Sequence, residues 1–367
     1  MLLKYLGPAC LAGVTLPDWF SLLATNRFRV SPGCWGKAAF LTGSSLLTSL
    51  VRPVEQAVWS SRLKQHQLEA PVFILGCWRS GTTHLHQLLC LDQRFGFPNM
   101  YQTMYPHTFL LSEPWLRPLL DLMTPRKRFM DNMKQGLQEP HEDEMALAIL
   151  CQRSNMLSWA FPKNAEIYDR FLSFQQVCET DRDRWKQSLD LFVRKVSLKT
   201  GRRLVLKSPN HTARMQLISE LYPNAVFLHI HRHPYDVYRS LCHMVRNVQP
   251  VWALQRMDPQ QIPELVIRTY KLLYDAYLDQ KAAVIPDRLF EVSYQRVTQQ
   301  PLETLQDAYQ HLRLGDFSSV RPHVEQYIQQ QASYERNRHA DLSSDEKQRL
   351  HNHWERFFDE WHYERRA

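Results

Sequence analysis

Four short runs of apolar residues punctuate the chain, at Val72–Leu75, Leu204–Leu206, Val226–Ile230 and Leu289–Val292. Longer stretches with apolar positions at helical spacing separate them. That alternation predicts an α/β fold, a parallel sheet flanked by helices. Between the first two runs, from about residue 97 to 200, lies a long helix-rich insertion carrying Trp115, Trp159, Phe161 and Trp185. The tail from Leu342 to Ala367 opens with Ser343 and Glu346 in capping-box spacing and reads as a closing helix. Ahead of the first run, Phe40, Leu47, Val51, Val54 and Val58 share one helical face. That face is expected to pack on the rest of the protein, with a lipid surface as the alternative. The organisation expected is a helical N-terminal segment (1–68) packed on the core, an α/β domain (69–335) containing the insertion, and a C-terminal helix (336–367).

Composition narrows this little. With 367 residues, 44% hydrophobic and 22% charged, the chain can bury a full core. Its net charge of +8 fits an anionic ligand, a membrane surface or nucleic acid equally well. The seven cysteines are scattered without a C-x-x-C pair, which points away from a disulfide framework or a zinc site and towards a reducing compartment. The N-terminal MLLKYLGPACLAG is broken by Lys4, Gly7 and Pro8 and makes a poor signal peptide. The uncharged run Ala38–Val51 has 14 residues, short of the roughly 20 that span a bilayer. The expected location is cytoplasmic, with peripheral membrane contact through the N-terminal helices as a further option.

The first strand runs into PVFILGCWRSGTTHLHQLL, a strand, a loop with two glycines and an amphipathic helix. Gly76 and Gly81 have the separation of a Walker A loop and Thr83 fills its hydroxyl slot, but Thr82 stands where the lysine belongs. The fixed cation has moved to Arg79. Backbone N–H groups from Ser80 to Thr83, at a helix start, would form an anion nest reinforced by the helix dipole. An arginine fork inside such a loop suits an oxyanion with a bidentate face and needs no metal bridge.

This stretch resembles the 5′-phosphosulfate loop of sulfotransferases, in the version with Arg before Ser-Gly-Thr-Thr. A second stretch, RLVLKSPNHTARMQLISELYPNAVFLHIHRHPYDVYRSL, resembles the family's 3′-phosphate segment, in which a strand ends in arginine and a serine follows eight residues later; Arg232 and Ser240 keep that spacing. The resemblance runs roughly from Pro71 to Leu314 and is to the bacterial-type branch.

It implies the donor 3′-phosphoadenosine 5′-phosphosulfate, without a metal, and a small-molecule, glycan or lipid acceptor rather than nucleic acid. Arg79 with Ser80, Gly81, Thr82 and Thr83 would hold the 5′-phosphosulfate, and Arg232 with Ser240 the 3′-phosphate. Lys207, at the end of RLVLK, stands where the family places a lysine near the bridging oxygen, on which charge builds as the sulfuryl group leaves. Tyr294 corresponds to an adenine-side contact at the family's Tyr-Glu-Asp-Leu helix start. Arg336, in SYERNRH, corresponds to a basic loop for the 3′-phosphate. Trp78 and His84 flank the loop where the cytosolic branch has an adenine-stacking tryptophan.

One departure bears on mechanism. The cytosolic branch ends the strand Lys-Thr-His and uses that histidine as base, whereas Lys207-Ser208-Pro209 puts a proline there. The base is then expected among Glu142, Asp143 and Glu144, which open the helix of QEPHEDEMALAIL, with Glu144 first, one carboxylate facing the acceptor and the others turned to solvent or a cation. His211 is the reserve. First-turn carboxylates also serve simply to offset a helix dipole. Two other classes remain open at this stage, a P-loop-like nucleotide kinase and an inactive sulfotransferase-fold binding protein. The acceptor pocket is expected in the insertion and the N-terminal helices.

Overall fold

The computed structural model describes residues 11–122, 136–284, 286–331 and 340–365. In chain order these form α1 (Leu16–Thr25), α2 (Trp35–Gln65), β1 (Val72–Leu75), α3 (Thr82–Leu89), β2 (Phe95–Gly96), α4 (Met100–Met104), α5 (Phe109–Asp121), α6 (Glu144–Leu150) and α7 (Leu157–Ala160). There follow α8 (Ala165–Asp169), α9 (Glu179–Thr200), β3 (Arg203–Lys207), α10 (Met215–Leu221), β4 (Val226–His231), α11 (Pro234–Trp252) and α12 (Ile262–Lys281). The chain closes with β5 (Leu289–Ser293), α13 (Tyr294–Gln299), α14 (Pro301–His311), α15 (Arg321–Gln331) and α16 (Ser344–Glu360). They divide into two compact units. A helical unit takes the stretch ending at Glu69, Gly96–Leu204 and Arg246–Asp258; an α/β unit takes Ala70–Phe95, Val205–Val245 and the chain from Pro259 onward.

The four apolar runs are all strands. The sheet has the order β2-β3-β1-β4-β5, with β1 parallel to both β3 and β4, and β4 parallel to β5. The two-residue β2 carried no sequence signal. All four residues of β1 are buried, as expected of a strand covered on both faces. In the α/β unit, Val72, Ile74, Leu85, Leu89, Leu228 and Ile230 belong to one core cluster that locks α3 onto the sheet. Because β1 and β4 are parallel neighbours, paired Leu75 to His229, the loop leaving β1 and the segment leaving β4 emerge at the same edge. Strand order reverses around β1, and open α/β sheets bind ligands at such switch points, outside the carboxyl ends of the strands. The predicted closing helix is α16, and Ser343 and Glu346 form its capping box.

In the helical unit the long α2 is turned contrary to expectation. Its buried stripe is Lys37, Leu41, Ser45, Thr48 and Glu55, and each charge on it is matched. Lys37 Nζ donates to the carbonyls of Pro250 (2.8 Å), Val251 (2.8 Å) and Ala253 (3.2 Å). Glu55 pairs with Lys195 of α9 at 2.5 Å and accepts the Leu111 N–H at 2.9 Å. The predicted apolar face is the outer one: Phe40, Leu47, Val54 and Val58 are exposed and Val51 is half-buried, so packing on the protein is not its role. Polar side chains won the inner face because paired buried groups satisfied one another there.

Candidate active site

The loop after β1 is shaped by three residues with positive φ. Gly76 has φ +139°, and a Cβ there would lie 2.4 Å from the Ile230 carbonyl oxygen, so only glycine lets the chain leave β1 this close to β4. Its N–H donates to Thr212 Oγ1 at 2.7 Å, and the Cys77 N–H donates to the Tyr274 hydroxyl at 3.1 Å. Ser80 closes the turn inward, its N–H (3.1 Å) and its hydroxyl (2.6 Å) both donating to the Cys77 carbonyl. Of the N–H groups expected in the nest from Ser80 to Thr83, that of Ser80 is therefore taken up within the loop. Gly81, at φ +102°, is the N-cap of α3, and Thr82 and Thr83 fill the first turn, whose N–H groups have no acceptor within the helix.

Arg79 takes φ +69°, uncommon for a residue with a Cβ, and its Nε donates to Ser240 Oγ of α11 at 3.0 Å. Arg232, one residue past β4, donates from Nη1 to the Arg79 carbonyl at 3.2 Å, and its guanidinium lies 4.5 Å from the centre of the Tyr294 ring. A Cβ on Gly81 would come within 2.5 Å of that ring. Arg79 and Gly81, Arg232 and Ser240, and Tyr294, from three separate stretches of the sequence, thus meet in one cluster of the α/β unit. Asp236 lies 3.9 Å from the Arg232 Nε while Arg239 holds it at 2.6 Å.

Lys207 ends β3, buried, with its Cα in register with Ile74 of β1. Its charge reaches the Cys90 thiol, whose pKa burial pushes well up against the opposing pull of Lys207. Ser208 then accepts the Asn210 N–H at 3.2 Å and starts the 3-10 turn Pro209–Arg214. Within it His211 is wholly buried, edge-on to Phe73 at 5.4 Å. Trp78 is buried, and His84 stacks against Tyr327 at 6.1 Å. Arg336 lies outside the described residues.

The carboxylate cluster belongs to the helical unit. Asp143 occupies the N-cap position of α6 yet makes no capping bond through its side chain, which is fully buried. Glu144 is also fully buried and accepts a hydrogen bond from Ser154 Oγ at 2.5 Å. Glu142 is half-buried. Two of the three carboxylates are thus buried and the third is half-buried. The same unit holds a cavity of about 320 Å³ lined by Arg52, Glu55, His107, Arg184, Leu191 and Lys195. Burial, reinforced by the charges of Arg52 and Lys195, pushes the His107 pKa down to about 3.

Sequence reasoning missed what holds the neighbours of Arg232. The Trp361 ring lies parallel to His231, 5.0 Å away at 9°, and Tyr363 Oη meets His231 Nδ1 at 2.7 Å. His233 Nε2 is 3.1 Å from the Glu364 carbonyl oxygen. The two histidines bracketing Arg232 are therefore both clamped by the segment after α16. Burial, with His229 beside it, pushes the His231 pKa down to about 3. The alternation His-Arg-His was a signal at one end; nothing in the sequence pointed to Trp361.

The profile of the sulfotransferase family matches residues 71–319. The chain is 33% identical, over 354 residues, to omega-hydroxy-beta-dihydromenaquinone-9 sulfotransferase Stf3 of Mycobacterium bovis and of Mycobacterium tuberculosis, a span of 96% of this chain and 91% of the relative. In fold it is similar to sulfotransferase STF9 from Mycobacterium avium, with TM-score 0.71, 18% identity, and 90% of this chain and 86% of that one covered. It is likewise similar to sulfotransferase STF1 from M. tuberculosis H37Rv, with TM-score 0.64, 19% identity, and 93% and 91% covered. With the family profile spanning most of its length and curated enzymes matched nearly end to end, the chain belongs to the sulfotransferase family and is a transferase.

Proposed function

We propose that this enzyme moves a sulfuryl group from 3′-phosphoadenosine 5′-phosphosulfate to a hydroxyl on a lipid acceptor by in-line displacement. The observation that carries the donor is the meeting of Arg79, Arg232, Ser240 and Tyr294 around the start of α3. A donor with two separate anionic ends needs two cationic contacts, and the cluster offers two guanidiniums and a helix start. Arg79 with Gly81, Thr82 and Thr83 would take the 5′-phosphosulfate; Arg232 and Ser240 would take the 3′-phosphate. Ser80, spent on the Cys77 carbonyl, would hold the loop rather than the ligand. Tyr294, already beneath Arg232, would border the adenine.

Lys207 supplies the cation for the bridging oxygen as the sulfur leaves, and a buried ammonium acts there without reorganising solvent. The carboxylates at the start of α6 supply the base. Asp143 is fully buried at the N-cap of α6, and Glu144, also buried, is oriented by the hydrogen bond it accepts from Ser154.

The acceptor class rests on the Stf3 relatives, which are named for an omega-hydroxylated dihydromenaquinone. An acceptor of that chemistry offers a terminal hydroxyl on an apolar molecule. A sulfate-transfer assay with labelled donor, run over lipid alcohols, soluble alcohols, glycans and amines, tests the reading. Label appearing in a lipid alcohol is the expected result, and label confined to a glycan or amine overturns the acceptor.

A further inference from the structure

We infer that the outer face of α2 is a docking surface for an anionic lipid bilayer. Phe40, Leu46, Leu47, Leu50, Val54 and Val58 project from it, and their exposures run from 40% at Phe40 to 66% at Leu50. At 1.5 Å per residue this ridge is roughly 27 Å long. A contiguous apolar surface of that length on a soluble face has a cost in water that is relieved only by an apolar partner. Trp35, 64% exposed, stands at the start of the same helix, where an amphipathic ring suits the headgroup level.

The charges around the ridge choose the partner. The single carboxylate of α2, Glu55, is buried in its pair with Lys195. Arg62 and Lys64 are exposed in the last turns, and the segment ahead of the helix exposes Phe28 between Arg27 and Arg29. An apolar ridge with exposed cations beyond both ends matches a surface that is apolar inside and anionic at its rim, each cation near such a membrane adding attraction. A second copy of the chain fits less well. Helices that pair through an apolar seam flank it with opposite charges, and here like would face like. With no helix among the described residues long and apolar enough to cross a membrane, the helix lies in the interface plane. This inference stands on the surface alone and does not require the acceptor proposed above.

Flotation of the purified chain with vesicles tests it, using phosphatidylcholine alone and phosphatidylcholine mixed with phosphatidylglycerol. The wild type should rise with the mixed vesicles and release as salt is raised. Leu50→Glu should lower the bound fraction at least about tenfold, since it places a charge at the centre of the buried face. Because Leu50 is exposed, the variant should melt with the wild type; Leu47→Glu provides a second, independent probe on the same ridge. Wild-type protein that stays in the bottom fraction with both vesicles overturns the inference, as does a Leu50→Glu variant that floats normally. A wild-type dimer in sedimentation velocity that Leu50→Glu converts to a monomer also overturns it, by assigning the face to a second copy.

Discussion

Arg79 Nε and Ser240 Oγ meet at 3.0 Å, joining the loop after β1 to the helix after β4. A serine hydroxyl has one proton and two lone pairs, so by accepting from Arg79 it keeps its proton to donate elsewhere. The bond therefore orients a donor rather than consuming one. It also links two segments that the sequence presents as separate motifs and that we propose as anion contacts. Loss of Ser240 should consequently be felt at Arg79 as well.

Arg232→Ala should weaken binding of adenosine 3′,5′-bisphosphate by about 2–4 kcal/mol, as for a charge-assisted contact in a partly buried site, and leave adenosine 5′-phosphate nearly unaffected. Isothermal titration calorimetry with the two nucleotides distinguishes a 3′-phosphate contact from a general loss of positive field, which would weaken both alike.

Lys207→Ala should lower kcat far more than it weakens donor binding, because the charge it meets grows only in the transition state. Donor affinity and kcat measured on the same preparation check this. A defect confined to affinity would place Lys207 in ground-state binding instead.

Among Glu144→Gln, Glu142→Gln, Asp143→Asn and His211→Ala, one carboxylate variant should lose about a hundredfold in single-turnover rate with donor affinity intact, Glu144 being the first choice. His211 packs on Phe73, and its variant should chiefly lose stability. If the His211 variant alone is inactive while folded, the base is the histidine.

Gly81→Ala would set a Cβ 2.5 Å from the Tyr294 ring at a backbone φ of +102°. The two effects should together cost about 1–3 kcal/mol of stability and disturb the Arg232 contact to that ring. Urea denaturation measures the first and nucleotide titration the second; unchanged values in both would mean that the loop yields without strain.

Stability should fall as the solution is acidified from about pH 6.5 towards 3. His107 and His231 are held neutral by burial, each with a pKa pushed down to about 3, whereas the unfolded chain protonates them near 6.5. The unfolded state then binds more protons across that window, so its share grows as pH drops; at pH 5 this amounts to roughly 2 kcal/mol for each histidine. Denaturation midpoints at pH 7 and pH 5 give the slope, and His231→Phe should reduce it.

The strands β1, β3 and β4 were legible because a parallel strand covered on both faces reads as a short apolar run. The loop around Gly81 was legible because Gly76 and Gly81 keep the separation of a phosphate-binding loop, and the segment around Arg232 because its arginine-to-serine spacing resembles that of the sulfotransferase family. The apolar stripe of α2 was legible as a stripe but not in its direction. Periodicity tells which residues share a face, whereas the partners of Lys37 and Glu55, which drew the other face inward, lie far along the chain. The burial of Asp143 and Glu144 escaped for the same reason. Their spacing is that of any acidic first turn, and only Ser154 with its neighbours decides which way they point.

The parallel rings of His231 and Trp361 also bear on the order in which the molecule is made. His231 and Tyr363 are 132 positions apart, so a growing chain must release all of that length before the residues flanking Arg232 find their clamp. Contacts of such separation form late because loop closure precedes any gain from them. A ribosome-bound chain halted ahead of α16 would therefore carry a complete sheet in which His231 and His233 are not yet clamped. The setting of the two residues beside Arg232 would then be completed only once the segment after α16 is made, well after the sheet.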